Sequence, residues 1–158
     1  MKRVIVAGIT ALALAACSQP ESKAEQALAI TPQNIAGAWQ CEYKLTDIKS
    51  KVHVAYGENG EFSGRVFLNY PVTTSKGAVK VELVTGGSWQ LEGTTLTERF
   101  EVLSMATANS NGNELSEPLA EALREYQQLA TEVLELSATT MTLKEVDGEQ
   151  TQCTRRAN

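Results

Sequence analysis

Few side chains in this sequence can do chemistry, and those few lie far apart. There are three cysteines, Cys17, Cys41 and Cys153, and a single histidine, His53. A thiol can act as a nucleophile, bind a metal, pair with a second thiol or accept a lipid. Two distant cysteines and one histidine lack the spacing of a metal-ligand set. A Ser-His-Asp machine would need His53, yet no nucleophile-elbow motif accompanies it. Its neighbours place it on the polar face of a strand, where a solvated histidine is expected. Carboxylates are plentiful but scattered. Glu98 and Glu101 fall on opposite faces of a regular strand, so they name no catalytic pair. Gly86-Gly87 lacks the lysine and the following helix of a phosphate loop. No catalytic residue, metal site or cofactor site is expected, and the chain reads as non-enzymatic.

Lys2 and Arg3 form a short positive start. Val4 to Ala16 is then an apolar run, interrupted by Thr10 and softened by Gly8. A helix that crosses a bilayer needs roughly 20 apolar residues, so this run is too short. It fits the apolar region of a secretory signal. The run ends in Leu14-Ala15-Ala16-Cys17, and the whole segment from Met1 to Ser18 resembles a bacterial lipobox signal. That resemblance implies cleavage before Cys17, a diacylglyceryl thioether on its sulfur and an acylated amino group. Fatty chains such as palmitate would then anchor the protein in a membrane, because two or more chains hold stably. Ser18, where an aspartate would favour the inner membrane, implies the outer membrane with the protein facing the periplasm. Residues 1–16 are thus expected to be a signal peptide. Residues 17–34 are expected to be a lipidated N-terminus and flexible tether, since Gln19 to Gln33 is polar and holds no core.

Residues 35–158 are one domain's worth of chain, long enough to bury a core. Lys2 and Arg3 account for two of the 14 basic residues, which leaves 12 against 19 acidic ones, a formal charge of −7 for the mature chain. Nucleic acid is a poor partner for such a surface. An acidic balance favours a soluble monomer, and no protein partner can be named. With Cys17 assigned to lipid, Cys41 and Cys153 remain as an even pair in an exported protein, which favours a disulfide between them.

The elements that must position these residues are mainly strands. Trp39, Cys41, Tyr43 and Leu45 alternate with Gln40, Glu42 and Lys44, the mark of a half-buried strand over Gly37 to Leu45. Val52, Val54 and Tyr56 alternate likewise. Asn59-Gly60 signals a hairpin, and Phe62, Gly64, Val66, Leu68 and Tyr70 continue on the return. Pro71 to Gly77 reads as a loop. Val79, Val81 and Leu83 mark a strand that Gly86-Gly87 should end, followed by Trp89 and Leu91 and a turn at Glu92-Gly93-Thr94. Leu96, Phe100 and Val102 then face one way, and Thr97, Arg99 and Glu101 the other. Ala106 to Asn113 reads as a loop. Leu115, Leu119, Ala122, Leu123, Tyr126, Leu129, Ala130 and Val133 recur at three- and four-residue steps, which predicts a helix. Ser116 would cap it, with Pro118 in its first turn. Its apolar face would cover one end or edge of the sheet. Strands return at Val133 to Leu136, Met141 to Val146 and Gln150 to Arg155. Such a chain can form a meander, a barrel or a sandwich.

A register argument bears on that choice. If the first and last strands run antiparallel, opposed residues have a constant index sum. Cys41 with Cys153 and Trp39 with Arg155 both sum to 194. The register that joins the cysteines therefore sets Trp39 across from Arg155 on the same face. If those strands pair fully, the sheet has no free edge and closes into an up-and-down barrel of about eight strands. If they merely lie close, it stays open.

Gly37-Ala38-Trp39 on the first strand, with Arg155 on the last, resembles the lipocalin-like (calycin) barrels. Other pieces that look alike are Gly57-Glu58-Asn59-Gly60-Glu61-Phe62-Ser63-Gly64, Gly87-Ser88-Trp89-Gln90-Leu91-Glu92-Gly93, and Met141-Thr142-Leu143 before Asp147-Gly148. The resemblance spans Gly37 to Arg155. It implies that Gly37, Trp39 and Arg155 close the barrel floor and are structural. A small barrel can hold one apolar ligand in its mouth. The residues expected to line such a site are Tyr43, Val54, Phe62, Val66, Val81, Trp89 and Phe100. The alternative is an envelope accessory protein with a filled barrel that acts through its surface.

Overall fold

The fold was obtained as a computed structural model. The structure describes residues 25–45, 48–70, 79–107, 121 and 127–157. Eight strands follow one another: β1 (Gly37–Leu45), β2 (Ile48–Tyr56), β3 (Glu61–Tyr70), β4 (Val79–Glu92), β5 (Thr95–Thr107), β6 (Gln128–Leu136), β7 (Thr140–Lys144) and β8 (Gln150–Arg155). Each pairs antiparallel with the next, and β8 pairs with β1, so the sheet is a closed up-and-down barrel. One short helix, α1 (Pro32–Ile35), precedes it.

Closure follows the register read from the sequence. Trp39 faces Arg155, Gln40 faces Thr154 and Cys41 faces Cys153. The two cysteines form a disulfide across 112 residues of chain. One end of the barrel is packed solid. Ile35, Trp39 and Met141 are 0 % exposed there, joined by Leu96, Val133 and Leu143. The opposite end is taller on one side, because β4 and β5 have 14 and 13 residues against 5 and 6 in β7 and β8. Val79, Val81 and Leu83 form a separate apolar cluster on that tall side.

Three sequence expectations change. Gly86-Gly87 does not end its strand, since β4 runs through it to Glu92. A Cβ at Gly87 would collide with the Arg99 carbonyl of β5, so the glycine permits a close strand approach. The helical pattern does not extend to Val133. Leu129, Ala130 and Val133 belong to β6, where Thr97 faces Ala130 and Glu98 faces Leu129. Those residues also fit a period of two, Leu129-Thr131-Val133, and pairing with β5 decides between the periods. Glu121 is helical, while the rest of that segment from Leu115 to Tyr126, and the Pro71 to Gly77 loop, lie outside the described residues.

The third change concerns the tether, whose described part from Glu25 onward lies against the barrel. Leu28 N–H donates to the Leu136 carbonyl at 2.7 Å, and Thr139 N–H donates to Glu25 Oε1 at 2.7 Å. Leu28 and Ile30 pack on the core. The polar count of this stretch hid two apolar residues at i and i+2, enough for one edge contact. Thr31 then caps α1, with Asn34 N–H on its Oγ1 at 3.3 Å and Pro32 in the first turn.

Candidate functional site

The floor is built around Arg155. Its guanidinium carbon sits 4.1 Å from the centre of the Trp39 ring. Nε donates to the Ala138 carbonyl at 2.9 Å, one terminal nitrogen to Ala36 at 2.8 Å and the other to Asn34 at 2.6 Å. Two of those carbonyls lie at the C-terminal end of α1, where a helix leaves acceptors unsatisfied. Trp39 Nε1–H donates to the Ile35 carbonyl at 2.8 Å. Gly37 takes a φ of +124°, and a Cβ there would stand 2.5 Å from an Arg155 nitrogen. Gly37, Trp39 and Arg155 are thus one packed unit.

Above the floor the barrel holds a cavity of about 200 Å³. Of the residues expected to line a site, Tyr43, Val54, Phe62, Val66 and Phe100 do so. Two do not. Val81 belongs to the cluster on the tall side of the mouth. Trp89 is pinned below, its Nε1–H on the Gly57 carbonyl at 2.9 Å and its ring 5.2 Å from that of Tyr56. Alternation gave both the right face but not the height along the barrel axis.

Sequence reasoning missed the most informative lining residue. Glu98 faces inward between Leu96 and Phe100, and Tyr56 donates its hydroxyl to Glu98 Oε1 at 2.6 Å. The signal was present, because Glu98 shares the parity of Leu96, Phe100 and Val102. Burial pushes the Glu98 carboxyl above the usual range, partly opposed by the Tyr56 hydrogen bond. Burial also raises Tyr56 and Tyr43, and the charge of Glu98 adds to both shifts. At the mouth, Glu145 has a buried Oε1 without a hydrogen-bond partner among the described residues. Burial, then the charges of Asp147 and Glu98, hold it up at about 7.

A bulge tunes which side chains reach the mouth. Leu83 faces Met105, but Thr85 faces Val102, so Leu103 is an extra residue on β5. One inserted residue reverses the faces beyond it. Met105 therefore packs with the mouth cluster, and Leu103 is 60 % exposed.

His53 is on the outer face, edge-on to Phe67 at 5.4 Å between ring centres. Among the described residues its Nε2 has no hydrogen-bond partner, and desolvation, followed by the charges of Arg156, Lys51 and Arg65, lowers its pKa. Among the described residues, no three His, Cys, Asp or Glu side chains gather to hold a metal ion. Cys17 lies outside the described residues. In comparisons with known proteins, the chain matches no family model and no curated protein.

Proposed function

We propose that the protein is a lipoprotein held at the cell envelope by lipid on Cys17, and that its lipocalin-like barrel binds a small hydrophobic molecule without catalysing a reaction. One observation carries the binding reading: the barrel interior is a cavity of about 200 Å³ walled mainly by apolar side chains, among them Val52, Val54, Val66, Leu68 and Leu83. A buried apolar cavity of roughly 150 Å³ takes up benzene, so this one suits a ligand on the order of ten non-hydrogen atoms. Common ligand pockets start near roughly 300 Å³, so a large ligand would not fit whole. The anchor reading rests on the sequence from Met1 to Ser18, and the outer membrane on Ser18.

Two experiments test the two halves. Cells fed labelled palmitate should label the protein, and the Cys17→Ser variant should lose both label and membrane association. Labelling that survives the substitution would remove the anchor reading. Native mass spectra of the protein from gently extracted envelopes should show a small added mass that falls away on activation. A bare mass, together with no saturable uptake of toluene, would instead favour an accessory protein with a filled barrel that acts through its surface.

A further inference from the structure

The cavity has a chemical sign. Its polar lining among the described residues is Tyr43, Tyr56, Thr85 and Glu98, with no lysine, arginine or histidine. Glu98 accepts the Tyr56 hydroxyl on Oε1, and its other oxygen accepts no hydrogen bond among the described residues. A carboxylate set among apolar walls is costly unless a cation or donors satisfy it. No described cation does so here. Glu145, near enough to act on Tyr43 and to be acted on by Glu98, adds a second carboxyl with a buried oxygen that has no hydrogen-bond partner among the described residues. The two carboxyls come from β5 and the turn after β7, so two separate parts of the barrel agree in sign.

We propose that the cavity is built for an apolar molecule bearing a protonated amine, with Glu98 as the ion partner of that amine. The proposal rests on reading the barrel interior as a binding site. An ammonium brings a positive charge and up to three donors, which matches a carboxylate whose second oxygen accepts no hydrogen bond among the described residues. The aromatic side chains of Tyr43, Tyr56 and Phe100 add a wall that attracts cations. A ligand with a carboxylate head, such as a fatty acid, would set a second negative charge against Glu98 in a low-dielectric space. A neutral hydrocarbon would fill the volume but bring the carboxylate no donor.

Three probes of nearly one shape separate these cases: 4-fluorobenzylamine, 4-fluorotoluene and 4-fluorobenzoate. Their binding to the full-length protein in lipid nanodiscs is followed by fluorine NMR, with empty nanodiscs correcting for partition. The amine should bind at least about tenfold more tightly than the toluene, the worth of roughly 1.4 kcal/mol, and the benzoate most weakly. In Glu98→Gln the amine should lose that advantage while the toluene keeps its affinity. Tyr56→Phe, which removes the hydroxyl on Glu98, should leave the amine first in order. The order on the unaltered protein is itself a test, whatever the variants do. Saturable toluene binding with no preference for the amine, or a preference for the benzoate, would overturn the amine proposal and leave the cavity reading standing. If no probe binds the unaltered protein more than a cavity-filling Val66→Phe variant, both fall together.

Discussion

Arg155 performs three tasks with one side chain: it stacks on Trp39, satisfies the end of α1 and ties the segment around Ala138 to the floor. Hydrogen bonds from a charged donor each contribute about 1.5–3 kcal/mol, and the stack roughly 1 more, but the bonds are coupled and do not add. Arg155→Ala should therefore cost about 3 kcal/mol in urea unfolding. Gly37→Ala should cost at least about 2 kcal/mol, since φ is strained for a side chain and the Cβ meets the guanidinium. Glu145 gives a pH test. Burial holds it up at about 7 in the folded protein, above the ordinary carboxylate value of 4.5. Its contribution to stability is then fully present below about 4.5 and is lost as pH rises through 7. Glu145→Gln should raise the urea midpoint at pH 8 more than at pH 5. Equal shifts at both would remove Glu145 as the cause.

Among the elements, the disulfide and the bulge carry the clearest consequences. Cys41–Cys153 joins β1 to β8 across 112 residues, a loop whose closure is worth about 4–5 kcal/mol in the chain-entropy model. Reduction should lower stability by roughly that amount, read from urea midpoints with and without reductant. Deleting Leu103 should remove the bulge and keep Met105 in the mouth cluster, because Thr85–Val102, Val84–Ser104 and Leu83–Met105 then form an unbroken ladder; NMR should show the Met105 methyl contacts to Val81 and Leu83 retained, and their loss would contradict this. Strand identity was legible because Trp39-Cys41-Tyr43 and Val52-Val54-Tyr56 alternate without a break. Places with two valid patterns were not. Leu129 and Val133 fit both a helix and a strand, and only pairing with β5 chose between them. Gly86-Gly87 reads as a stop in isolation, yet it is a passing place for two strands. The bulge at Leu103 leaves no local signature, since the extra residue is defined by its partner strand.

At the scale of the whole molecule, the register of the end strands was legible from one relation, the shared index sum of Cys41–Cys153 and Trp39–Arg155. It placed Trp39 across from Arg155 and left open whether the sheet closes, which the pairing of β8 with β1 decides; the floor role of Arg155 came from the resemblance to lipocalin-like barrels. The cavity was legible only in part. Alternation says which residues point inward, but not how high each sits, so Val81 and Trp89 were expected in a lining they do not join. Inward polarity was overlooked because Glu98 is charged, although its parity matched its apolar neighbours. The central claim is that the barrel interior takes up a small apolar molecule. Methyl-labelled full-length protein titrated with toluene tests it most directly. The account predicts saturable shifts confined, among valine and leucine methyls, to Val52, Val54, Val66, Leu68, Leu83, Val102 and Leu129, and none in Val66→Phe. Shifts absent from those methyls, or spread over exposed ones such as Leu103 and Val146, would contradict it.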